Sequence, residues 1–514
     1  MRIRTSLILS LLIALIFLAP FIFLASEAIF ALEDKNNIFF ANIIFVNLKN
    51  SLYLAFLTCI IANIIAVPTA WIMSYYKFPF QKLFNFFLLL PIAIPAYILG
   101  IIYAEIVEIK FLYSIRNIYG AAIILALALY PYIYLFCKNY FKHFAPQIFQ
   151  AKIYGISNLK VFFKIALRFV IPALITANIL VMMEVMGDFG LSSYYGVNSL
   201  TTEIYKDWFI SNNYNNASLQ SAILLIVVLC FFLLEIILKG KKNYNDLKNI
   251  NIPILNKMKK IPLIVTYLIL CCIFLFAFLI PVIQIILWCL DKPYLLVDEK
   301  FTKVFFNSFF LSLLGSIIII FLVFFIFITT KLYNSKLMRF VNFITATGYA
   351  IPGSVIAVAI LFVLNNFMNY LDLSYNMFTS LSVIGLLYAY QIRFSALAYN
   401  NFNIAWNRID HDLLNMVKIY KKNDFILIYN YFMRLMTSSI GVSFILIFIE
   451  IIKELPATLI LRPFNFDSLA TRTYMLASDE MVIESAISAL AIILFNVIAL
   501  FIFSKYFEKN NVYN

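Results

Sequence analysis

Charge is what this chain has least of. Asp, Glu, Lys and Arg make up 12% of its 514 residues, while 64% are hydrophobic. Soluble domains run at about 25% charged and about 45–50% apolar, so the composition excludes a water-soluble fold and points to an integral membrane protein. Histidine is reduced to His143 and His411. No Ser/His/Asp or Cys/His set stands out, which argues against an enzyme. No G-x-x-x-x-G-K-[ST] run occurs, so the chain does not hold nucleotide by a P-loop. Cys59, Cys137, Cys230, Cys271, Cys272 and Cys289 all fall within or at the ends of apolar blocks. They have neither metal-ligand spacing nor a disulfide framework, and read as small packing residues. A basic soluble domain is also missing, so the net charge of +14 is no nucleic-acid footprint, and no nucleic-acid partner is expected.

What is present is a series of long apolar runs. About 20 apolar residues cross a bilayer as a helix. Twelve such runs occur, at 6–32, 51–76, 83–107, 121–140, 169–194, 217–238, 261–290, 304–330, 340–364, 379–399, 435–455 and 483–503. Runs of this length exclude strands, so the expected fold is all-α and integral to the membrane, with twelve transmembrane helices. The first run follows Arg2 and Arg4 and far exceeds the roughly 7–15 residues of a signal-peptide core, so it reads as an uncleaved span. With both termini in the cytoplasm, about 27 Lys and Arg fall inside and about 10 outside, the bias expected of a multi-pass protein.

The chain repeats itself. A basic linker at 239–260, carrying Lys239, Lys241, Lys242 and Lys248, separates a first half at 1–238 from a second at 261–514. Asn50-Ser51 returns as Asn307-Ser308, and Ile94-Pro95 as Ile351-Pro352, both 257 positions on. Later the offset becomes 266, which carries Lys152, Tyr154 and Arg168 onto Lys418, Tyr420 and Arg434. Ser199-Leu200 then matches Ser468-Leu469 at 269. Six spans per half is an even number, so the copies enter the membrane the same way round. The expectation is two parallel six-helix repeats about an axis along the membrane normal, with a pathway between them.

Polar residues within apolar runs are the candidates for function. Glu184 and Asp188 lie four apart late in the fifth run, and Glu450 and Glu454 late in the eleventh, with Lys453 beside them. Positions i and i+4 share a helix face, so these four carboxyls either face a translocation path near an outer gate or cap helix ends, with Glu450–Lys453 a local ion pair. Pro91, Pro95 and Pro352 bend the third and ninth runs, as ordinary kinks or as hinges. Arg393, in the tenth run, is expected to snorkel to the interface. Asp467, Arg472, Asp479 and Glu480 form a polar segment before the last run, a receptor for a soluble partner or a solvated loop.

The repeated basic loops, at 144–168 and 410–434, resemble the EAA loop of ABC-importer permeases, whose pattern is EAA, three residues, Gly, nine residues and I-x-L-P. Ala151 stands at the second alanine, Gly155 at the glycine, and Ile165 and Leu167 at the I and L. Phe149 replaces the Glu and Arg168 the Pro. In the second copy Asn415, Met416 and Val417 stand for EAA, Lys421 for the glycine and Arg434 for the proline. The flanks MEVMGDFGLSSYYGVNSLTTEIYKDWF (183–209), KELPATLILRPFNFDSLATRTYMLASDE (453–480) and YAIPGSVIAVAIL (349–361) resemble the ferric-iron type of these permeases, in which both halves are fused. The resemblance implies a type I ABC-importer permease fold in a bacterial inner membrane. It implies an ATPase dimer docked in the cytoplasm on Ala151, Lys152, Tyr154, Gly155, Arg168, Val417, Lys418, Tyr420, Lys421 and Arg434. It also implies a periplasmic binding protein delivering Fe3+, ATP bound by the partner alone, and no cofactor or resident metal on this chain. Other small solutes (thiamine, phosphonate, a polyamine) fit the same class. A twelve-helix secondary transporter would carry a charged Gly/Asp/Arg motif between its second and third spans, where this chain has YYKFPFQK.

Overall fold

The computed structural model describes residues 3–32, 37–111, 114–144, 157, 160–239, 256–257, 260–294, 298–333, 335–371, 375–407, 409 and 425–512. It is helical nearly throughout. The first stretch runs α1 (Ile3–Leu32), α2 (Asn37–Tyr75), α3 (Gln81–Phe87), α4 (Ala96–Phe111), α5 (Ile118–His143), α6 (Leu167–Met186), α7 (Gly190–Tyr194), α8 (Leu200–Phe209) and α9 (Tyr214–Lys239). After the linker come α10 (Lys260–Phe274), α11 (Ile280–Asp291), α12 (Glu299–Leu332), α13 (Lys336–Thr347), α14 (Gly353–Leu371) and α15 (Tyr375–Trp406). The chain ends with α16 (Phe425–Leu435), α17 (Thr437–Ile452), α18 (Pro456–Leu461), α19 (Leu469–Ser478) and α20 (Val482–Val512). One departure from an all-α chain is a two-residue parallel pairing of Tyr76–Lys77 with Asn256–Lys257. It lies between the end of α2 at Tyr75 and Pro79.

Among the described residues nine helices are long and apolar enough to cross a membrane, and three bent pairs bring the number to twelve. Their exposed flanks carry large apolar side chains such as Phe30, Ile64, Ile261 and Phe321, a surface that water would not tolerate and lipid accepts. The bent pairs are the expected third, ninth and eleventh spans. Residues 81–93 meet 96–108 at 90°, 336–350 meet 353–368 at 116°, and 429–435 meet 437–452 at 77°. The first two are breaks rather than kinks, and proline makes both. Ile94 before Pro95 and Ile351 before Pro352 are extended, with ψ of 115° and 127°, because a proline ring excludes the helical conformation from the residue before it.

A broken helix in lipid must find new partners for its backbone. Here a neighbouring helix supplies them. Tyr130 on α5 donates its hydroxyl to the Leu88 carbonyl at 3.0 Å, and Ser395 on α15 donates to the Thr345 carbonyl at 3.1 Å. Both breaks are buried, with Ala93 at 0% and Ile351 at 5% exposure.

The chain forms two compact units, and neither is one sequence half. The first comprises Met1–Ile44, Leu200–Ile226 and Pro293–Asn514; the second comprises Phe45–Ser199 and Val227–Lys292. In the first unit α1 packs on α13 and α14, and α12, α15, α17 and α20 build the core. In the second unit α5 packs on α6, α4 packs on α7, and α11 packs on α4.

Candidate functional site

The basic loops themselves, with Ala151, Lys152, Tyr154, Gly155, Val417, Lys418, Tyr420 and Lys421, lie outside the described residues. Their exits do not. Arg168, in the first turn of α6, and Arg434, in the last turn of α16, are both exposed, as are Lys160 and Lys164. Each exit is fastened by aromatic rings to the helices on either side. In the second unit Trp71, near the end of α2, stacks on Tyr75 at 4.3 Å and meets Phe141 of α5 at 5.3 Å and Phe162 at 5.4 Å. In the first unit Trp406 closes α15 and meets Phe432 of α16 at 4.7 Å and Phe327 of α12 at 5.7 Å. Such ring pairs are directional as well as apolar, so they hold each exit to the helices beside it.

The carboxyl pairs do not share helix faces as expected. Glu184 lies on α6, but Asp188 is beyond its end, past a C-cap at Gly187. Glu450 lies on α17, and Glu454 is beyond its end, past Lys453. The expected span 169–194 therefore ends at an elbow, and so does 435–455. Glycine and Pro456 stop the two helices, and the second acid of each pair caps the short helix that follows. Asp188 Oδ2 accepts from the Ser192 amide at 2.9 Å and its hydroxyl at 3.0 Å, within α7. Glu454 Oε1 accepts from the Ala457 amide at 3.1 Å, at the start of α18. Glu184 and Glu450 remain half-buried on their helices, and Glu450 pairs with Lys453 at 2.7 Å.

Arg393 corrects another expectation. It does not snorkel. Its Nη1 lies 3.1 Å from Glu454 Oε1, with the two side chains 15% and 5% exposed. The carboxylate beside it offsets the cost of burying the guanidinium. The elbow is further held by Thr458, which donates to the Glu454 carbonyl at 2.8 Å and shares a 2.7 Å hydrogen bond with the Tyr390 hydroxyl. Gly353 opens α14 against this pair. A Cβ there would lie 2.2 Å from Arg393 Nη1 and 2.5 Å from Glu454 Oε1. Sequence reading passed over Gly353, Tyr390 and Thr458. The available signal was a glycine directly after the helix-breaking Pro352, paired with an arginine in an apolar run.

The polar segments between spans form a second group. Asn50 donates to the Asn198 carbonyl at 3.1 Å, and Asn307 donates to the Asp467 carbonyl at 3.3 Å. Each bond joins the start of one matched stretch to the start of another, in the second and first units respectively. Asp298 caps α12 and pairs with Arg472 of α19 at 3.2 Å. The Lys300 amide, with Arg472 beside it, holds its carboxyl below the ordinary value. On α8, burial pushes Asp207 up to about 6, with Glu203 adding to the shift and the 2.7 Å hydrogen bond from Gln220 opposing it. Asp467 is ion-paired to Arg462. Among the described residues no cluster of three or more His, Cys, Asp or Glu is placed to hold a metal ion.

The sequence that builds these loop exits and elbows has relatives. The family model for binding-protein-dependent transport system inner membrane components matches residues 62–240. The Fe(3+)-transport system permease protein FbpB 2 of Haemophilus influenzae is 23% identical over 470 residues, 90% of either chain. A probable ABC transporter permease protein of Pyrococcus horikoshii is 29% identical over 152 residues, 28% of this chain and 52% of that one. The sulfate transport system permease protein CysT of Salmonella typhimurium is 26% identical over 153 residues, 28% of this chain and 55% of its own. Components of this kind are non-catalytic, multi-pass subunits of the inner membrane, are not known to bind cofactors, and work with an ATPase and a binding protein. Residues 62–240 are thus similar to the binding-protein-dependent transport system inner membrane components, and the chain is similar along 90% of its length to a transport-system permease protein.

Proposed function

We propose that this permease carries ferric iron, with both termini in the cytoplasm and its two halves acting as parallel repeats. The observation that carries the substrate is the similarity to a ferric-iron permease along 90% of both chains. Three pairs of features support the repeats: proline breaks at Ile94-Pro95 and Ile351-Pro352, acid-capped elbows at Asp188 and Glu454, and the Asn50 and Asn307 bonds. In this reading an ATPase dimer grips the two basic loops through Lys152, Tyr154 and Arg168 and through Lys418, Tyr420 and Arg434. Closure of that dimer on ATP pulls on the aromatic-fastened exits and re-angles the bent spans. A binding protein delivers the ion on the opposite face. Glu184 and Glu450 line the path; Asp188 and Glu454 shape the elbows beside it. Ferric ion is hard and favours oxygen ligands, so carboxylates suit its passage without forming a resident site.

The test is uptake by the whole importer, reconstituted with its ATPase and binding protein in lipid vesicles. ATP-dependent accumulation of radiolabelled ferric iron is expected, and cells lacking the chain should fail to grow on chelated iron. Accumulation of thiamine, a phosphonate or a polyamine instead of iron would overturn the substrate and keep the class.

A further inference from the structure

We propose that Arg393 is a positioning residue that ties two bent spans of the first unit into one moving body. Three chain segments converge on it. One is the break at Ile351-Pro352, after which α14 sets off at 116° to the residues before it. The second is α15, which carries Arg393 and Tyr390. The third is the elbow between α17 and α18, which carries Glu454. A helix broken at proline has no internal hydrogen bonds across the break to fix its angle, so the angle must be held from outside.

The holding groups sit where that requires. Glu454 Oε1 receives Arg393 Nη1 and the Ala457 amide, each at 3.1 Å. It also lies beside Gly353, the first residue of α14, close enough that a Cβ there would be 2.5 Å away. The positive end of a 19-residue helix favours a carboxylate at that place. Glu454 is thereby held at the start of two helices and by a cation from a third, while Tyr390 and Thr458 add a 2.7 Å hydrogen bond between α15 and α18. Packing alone would not need charge here, since apolar residues of similar volume stabilise a core equally well. A charge pair at two helix starts fixes direction as well as proximity.

The transport half of the test rests on the permease reading; the distance half does not. Arg393→Met alone strands a buried carboxylate and can cost folding, so the variant to use is Arg393→Met with Glu454→Gln, which removes both charges and leaves an acceptor for the Ala457 amide. In the reconstituted importer this double variant should keep ATP hydrolysis, while uptake per ATP falls about tenfold, within the range of ordinary coupling energies. Arg393→Lys, which keeps the charge, should recover part of the loss. Unaltered uptake per ATP in the double variant would overturn the proposal. Spin labels at the exposed Asn366 on α14 and Phe464 after α18 give the second reading. Their separation should stay constant with and without ATP in the wild-type complex and become nucleotide-dependent in the double variant. A wild-type separation that changes with nucleotide would show that the two spans move apart, whatever solute is carried.

Discussion

Asp207 gives the residue scale its clearest prediction, because a half-buried carboxylate outside the spanning helices is a titratable probe of the α8–α9 corner. Burial raises its pKa to about 6, above the value it has when unfolded. The folded state therefore binds a proton that the unfolded state releases, and stability falls as pH rises through that range. The group is half exposed, so solvent screening keeps the effect small. Between about pH 5 and about pH 7 the wild-type Tm should drop by up to roughly 1 °C more than that of Asp207→Asn, measured by thermal unfolding in detergent. Parallel curves for the two proteins would remove Asp207 as the cause. The residue scale is also where sequence reading was thinnest. Glu454 and Arg393 were each visible as costly charges in apolar runs. Their pairing was not, because the residues lie 61 positions apart on different helices and no periodicity connects them.

At the scale of elements, a break in a span is legible when proline causes it and hidden when packing does. Pro95 and Pro352 announced two of the three bends. The third, at Met436, has no proline or glycine beside it. There α16 and α17 part at 77°, and Thr437 turns its hydroxyl onto the Met433 and Arg434 carbonyls. The elbows after α6 and α17 were misread for a similar reason. Their apolar composition continues across the turn, so hydropathy alone extended both helices by several residues. The proline breaks also carry a test of how their backbone is satisfied. Removing the Ser395 hydroxyl leaves the buried Thr345 carbonyl without that donor, and Tyr130→Phe does the same to the Leu88 carbonyl. Each substitution should cost about 1 kcal/mol, the usual net worth of such a bond. Thermal unfolding should register it for Ser395→Ala and for Tyr130→Phe alike. No loss in either variant would mean that another donor already serves the break.

At the scale of the whole molecule, the proposed function turns on the loops through which an ATPase would act. Both copies depart from the EAA pattern in the same way, losing its Glu and placing Arg where its Pro stands. Arg168 and Arg434 are both exposed at the loop exits, and the aromatic contacts of Trp71 and Trp406 anchor the segments that follow the loops. A docking surface that has lost the motif's acid and gained cations should lean on charge, with Lys152 and Lys418 as the matched pair at the head of each loop. Reversing a charge at an interface replaces attraction with repulsion and weakens binding by about tenfold per site or more. The double variant Lys152→Glu, Lys418→Glu should therefore recover at least about tenfold less ATPase subunit on co-purification. Its own thermal unfolding should match the wild type, so that the loss reads docking rather than folding. Added salt should weaken the wild-type complex and leave the residual binding of the variant nearly unchanged, since screening acts on the attraction that the variant has lost. Full recovery of the ATPase by the variant would move the grip away from the lysines and onto other loop residues.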